Sequence, residues 1–226
     1  VKAGHMAGDL EVPDLDKVYK NAVNGFKVNA NPSGGFGYTS RGAGGLSGVG
    51  VLCMQLLGAA REPEVAATLS YLDDATFSFE KWKSKGFGAS PVYYWYYITQ
   101  AKFHAGGDRW TSWNKQFQPE LIKRQVVIKD AIADPEGKMR DIGYWDSPSN
   151  GEHGGGGGAV DAIRWENGAQ IVGKSTLGAR VQDTCLSALQ LMVYYRYLPT
   201  FKTPEVVADV DVAVEDEDEV KINIIR

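Results

Sequence analysis

Ser90-Pro-Val-Tyr-Tyr-Trp-Tyr-Tyr-Ile-Thr-Gln-Ala-Lys-Phe-His-Ala-Gly-Gly-Asp-Arg-Trp-Thr-Ser-Trp113 decides how this chain folds. Ser90 is a natural N-cap, and Pro91 falls at the first helical position, where a missing N–H costs nothing. The residues that follow put Tyr93, Tyr94, Trp95, Tyr96, Tyr97, Ile98, Ala101 and Phe103 on almost every face. A helix apolar all round is predicted to be covered all round. Gly106-Gly107 ends it, and Asp108 is placed to cap a second helix. In that helix Trp110, Trp113, Phe117 and Leu121 recur at three- and four-residue steps. The pattern predicts an αα-hairpin with one inner and one outer helix.

Outward from this hairpin the plan repeats. Asp14 is placed to cap an outer helix with Leu15, Val18, Tyr19, Ala22, Val23 and Phe26 on one stripe, and the turn residues 31–40 break it. Leu46 to Ala59 is apolar on most faces and reads as an inner helix, with Ser47, Gly48 and Gly50 small enough for close approach. Pro63 opens an outer helix with Val65, Leu69, Leu72 and Thr76 in register. A third outer helix runs from Arg109 to about Gln125, with Pro119 expected to kink or split it. Its inner partner is Leu177 to Leu198, ended by Pro199. Gly35-Phe36-Gly37, Gly86-Phe87-Gly88 and Gly143-Tyr144-Trp145 stand before the inner helices at steps of 51 and 57 residues, a repeat-scale spacing.

This pattern resembles the prenyltransferase and squalene-cyclase repeat superfamily, whose outer helix, glycine-aromatic turn and apolar inner helix build α/α-toroids. The likeness rests on Gly34-Gly-Phe-Gly-Tyr38, on Tyr93-Tyr-Trp-Tyr-Tyr97 with Gly106-Gly107 and Trp110-x-x-Trp113, and on Val193-Tyr-Tyr-Arg-Tyr-Leu-Pro199. It spans roughly residues 14–199 and is strongest to a bacterial, non-catalytic branch. The fold expected is all-α: αα-hairpin repeats in an open arc, a partial α/α-toroid of three hairpins where the full ring has six. Residues 1–13 read as a leader and 14–203 as the repeat domain. Within that domain, 126–176 is expected to be a long irregular insertion, and 204–226 an extended acidic tail.

The resemblance also implies chemistry to look for. Cyclases of the superfamily protonate an alkene through an Asp-x-Asp-Asp motif, in which a neighbouring carboxylate keeps one acid protonated. No repeat carries it. Asp73-Asp74 reads as a solvated face, and Asp209-Val-Asp211 lies in the tail. The aspartate-rich magnesium motifs of prenyl-diphosphate synthases are missing too. Protein prenyltransferases ligate zinc with Asp-x-Cys at the start of an inner helix plus a later His. Asp183 and Cys185 match that pair, but no His follows them. The residues are therefore expected to be structural, Asp183 as a helix cap and Cys185, like Cys53, as a buried thiol. No cofactor is expected. Gly154 to Gly158 lacks the Lys-Ser/Thr and the preceding strand of a phosphate-binding loop and reads as a flexible insertion. His104 is expected to be structural, and the aromatic inner helices to fill the core.

Composition narrows the partners. No run approaches the ~20 apolar residues of a membrane span, so a soluble protein is expected. Val1 reads either as a processed mature end, implying export, or as an internal residue of a longer chain, while Gly4-His5-Met6 also fits a cloning remnant. The net charge of −4 is uneven: eight acidic residues against Lys221 and Arg226 put −6 on residues 205–226 and leave +2 on the body. That body is too weakly basic to predict nucleic-acid binding. The tail's apolar positions Val206, Val210, Val212, Val214, Ile222, Ile224 and Ile225 are candidates for docking on a protein partner or a second copy. The expectation is a non-enzymatic scaffold or interaction subunit of a larger assembly. The alternative is an isoprenoid enzyme of the terpenoid-cyclase or protein-prenyltransferase type.

Overall fold

The computed structural model describes residues 14–81, 91–146, 162–166, 169–173 and 177–193. Six helices run through them: α1 (Leu15–Asn29), α2 (Ser47–Leu56), α3 (Pro63–Asp73), α4 (Pro91–Ala105), α5 (Gly107–Arg124) and α6 (Leu177–Leu191). The protein is mostly helical, but it is not all-α. Two antiparallel hairpins lie within the 126–176 insertion, which is therefore not irregular throughout: β1 (Val126–Ala133) pairs with β2 (Met139–Tyr144), and β3 (Ala162–Glu166) with β4 (Ala169–Gly173). The first is turned by Asp134-Pro-Glu-Gly-Lys138. There the Asp134 carboxylate accepts the N–H groups of Glu136 and Lys138 at 3.1 and 2.8 Å, and Gly137 takes a φ of 79°.

Helices α2, α4 and α6 form a row with α4 in the middle, and α3 packs on α2 as α5 packs on α4. The α4–α5 hairpin is the one that residues 90–121 predict; the repeat plan also suggests that α3 belongs with the inner helix after it, whereas the packing joins α3 to α2, the one before. Connection length explains this. Gly106 alone links α4 to α5, and a short link makes antiparallel neighbours. At φ 66° and ψ −161° Gly106 takes a conformation open to glycine, and it occupies the cap position expected of Asp108, which lies in the first turn instead. Asp14, similarly, makes no side-chain capping bond. Pro63 starts α3 as expected, but the helix ends at Asp73, leaving Thr76 exposed beyond it. Helix α5 continues unbroken past Pro119, which does not split it.

Where α2 meets α4, a Cβ on Gly48 would lie 2.8 Å from the backbone nitrogen of Ile98, so the close approach needs glycine at that position. Gly50 likewise leaves room for the Phe36 ring, which packs edge-on to Phe26 at 6.3 Å. The centre of the core lies between α4 and α5. Trp95, Trp113, Phe117 and Leu121 are fully buried around Phe77, whose ring is 4.3 Å from Trp95 and 5.7 Å from Trp113. Phe77 and Phe79 belong to the segment after α3. Its backbone is held to α5 by N–H donation to Gln116 and Glu120 at 3.4 and 3.1 Å.

No residue of α4 is exposed, as its sequence predicts. The burial extends to polar residues: Thr99, Gln100, Lys102 and His104 are covered as well. At the other extreme, α1 buries no residue fully and leaves Val18 and Val28 exposed.

Candidate interaction surface

The site begins with the residues that orient α6. Gln190, Ser187, Asp183 and Arg180 recur at steps of three and four and are all buried, so a polar stripe faces inward. One hydroxyl ties three helices together: Thr99 on α4 accepts a hydrogen bond from the Trp113 indole of α5 at 2.8 Å and donates to the Gln190 carbonyl of α6 at 3.1 Å. Around the helix from there, the end of β2 holds α6 from another side. The Trp145 N–H donates to Thr184 at 3.0 Å and its indole to the Leu121 carbonyl of α5 at 2.8 Å. Arg180 pairs with Asp146 at 2.9 Å while its guanidinium sits 5.1 Å from the Tyr144 ring centre.

The third glycine-aromatic motif thus packs against an inner helix as its repeat position suggests. It does so from a strand and the residues just after it, however, and not from a turn immediately before the helix. The Gly86-Phe87-Gly88 turn lies outside the described residues.

Opposite the buried stripe lie Gly178, Val181 and Cys185 of α6 and Met192 just past its end, with Ala188 on the same line but packed in part against the core. Gly178 and Cys185 are exposed, Val181 and Met192 are 55% and 47% exposed, and Ala188 is half-covered. The steps between them are three, four, three and four residues, which keeps them on one line along the helix. Among the described residues the line and its flanks, Gln182 and Leu189, carry no charged group. This is an apolar seam at the end of the helix row.

The zinc pair suggested by the sequence straddles these two faces. Asp183 is buried at 2% exposure and Cys185 is exposed, because two residues along a helix turn the side chain by roughly 200°. Asp183 also lies inside α6 and is not at its cap, and Cys185 is not a buried thiol. Cys53 is half-buried. Among the described residues no three His, Cys, Asp or Glu side chains gather as a metal site would need. The tail candidates Val206, Val210, Val212, Val214, Ile222, Ile224 and Ile225, the acidic run and the glycines 154–158 lie outside the described residues.

Two further groups are informative. Tyr93 and Tyr97 are half-buried on α4, 4.9 Å apart and roughly edge-to-face, on the side away from α5. Burial, helped by Tyr93, pushes the Tyr97 phenol well above the ordinary tyrosine range. Asp73 is an exposed carboxylate, as its position in an outer helix suggests, but it is ion-paired to Arg109 at 2.9 Å and to the buried Lys102 at 3.8 Å. Burial depresses the Lys102 pKa more than Asp73 restores it, and the ammonium rests 4.9 Å from the Trp113 ring centre.

Among the described residues no helix is long and apolar enough to cross a membrane. Compared with family profiles, curated proteins and solved structures, the chain matches none.

Proposed function

We propose that the protein is a non-enzymatic interaction or scaffolding subunit of a larger assembly, built on prenyltransferase-like helical repeats whose inner row, α2, α4 and α6, forms an open arc. The observation that carries this reading is the seam on α6. A row of repeats buries its core only where each unit has a neighbour, and an end unit without a polar cap calls for a partner. Helix α6 has a neighbour on one side and an uncharged apolar line on the other, the kind of surface that marks a protein contact.

A second reading, an isoprenoid enzyme, is favoured by one observation. The rings of Tyr93 and Tyr97 are only half-covered, and tyrosine faces stabilise cationic intermediates. The test is recovery of the affinity-tagged chain from its own source, with the mass and stoichiometry of what accompanies it, alongside assays with squalene and prenyl diphosphates. A stoichiometric assembly without turnover supports the scaffold. A lone chain that converts an isoprenoid after purification to homogeneity overturns it in favour of the enzyme.

A further inference from the structure

We draw no further inference here: the strongest candidate, the exposed apolar line of Val181, Cys185 and Met192 at the end of the helix row, carries nothing more because nothing among the described residues shows what covers it.

Discussion

Helices α4 and α6 are both 15 residues long and lie in the same row, yet one is covered on every side and the other on about half. Helix α4 stands in the middle, with α2 and α6 beside it and α5 behind. It can therefore carry apolar side chains all round and still expose none. Helix α6 is the last helix described in the row, and among the described residues it has a buried polar stripe on one side and an exposed apolar line on the other. Position in the row, more than composition, separates a core helix from an interface helix. The join between them carries a polar contact, Thr99 with Gln190 and the Trp113 indole, beside apolar packing by Leu186, Leu191 and Val193.

The comparison breaks most severely at Trp113. Its ring is fully buried, meets Phe77 edge-to-face and donates its N–H to Thr99. Trp113→Ala should cost about 3–5 kcal/mol in chemical denaturation. A loss under 1 kcal/mol would mean that α4 is not held as described. Trp95 sharpens the point. Its indole nitrogen has no partner among the described residues, so Trp95→Phe should cost clearly less than Trp113→Phe.

Thr99→Val keeps the shape and removes the hydroxyl, leaving the Trp113 N–H and the Gln190 carbonyl unpaired in the core. A loss of about 2–3 kcal/mol is expected. Substituting Gln190→Ala in the same background should cost less than it does alone, since the two residues share one bond. Strict additivity would disprove the join.

Lys102→Met is expected to stabilise the chain by about 1 kcal/mol near neutral pH, because a buried ammonium is exchanged for an apolar side chain of similar length. The sign follows from the lowered pKa of Lys102. Between that lowered value and the usual 10.5, the unfolded chain binds more protons than the folded one, so native stability rises with pH across this window. The gain should be full below the window and vanish above it. Thermal unfolding that shows Lys102→Met destabilised near pH 7 would mean that Asp73 and the Trp113 face outweigh desolvation.

The smallest effect on stability belongs to α6's open face. On the isolated chain Val181→Glu should change unfolding free energy by no more than about 0.5 kcal/mol, the range of surface substitutions. A loss above 2 kcal/mol would show that the position is covered within the monomer, and the contrast between α4 and α6 would disappear.

Much of this was legible before any coordinates. The stretch 91–124 specified its own hairpin through Pro91, the apolar crowding of α4 and the Trp110-to-Leu121 stripe. The β1–β2 hairpin was legible too, in Asp134-Pro-Glu-Gly-Lys138 between two β-rich runs. That turn signal lies in a segment outside the helical repeat, where helix periodicity carries no information about strands. Phe77 and Phe79 could not have been found by periodicity. They stand past the end of α3, and only α5's Gln116 and Glu120 draw that segment into the core.

By itself, then, the sequence determined that helices exist in these stretches and which of them are apolar enough to be covered, because prolines and 3.6-residue stripes are local physics, while the end of α3 at Asp73 and the cap at Gly106 departed from it. Tertiary structure alone decided which face of each helix is used. Asp183 and Cys185 have a ligand pair's spacing, yet the contacts of α6 with α4 and β2 turn one inward and the other to solvent. The residues of the open seam are as apolar in sequence as those of a core. Their exposure follows from α6 being last in the row, with no further helix described beyond it.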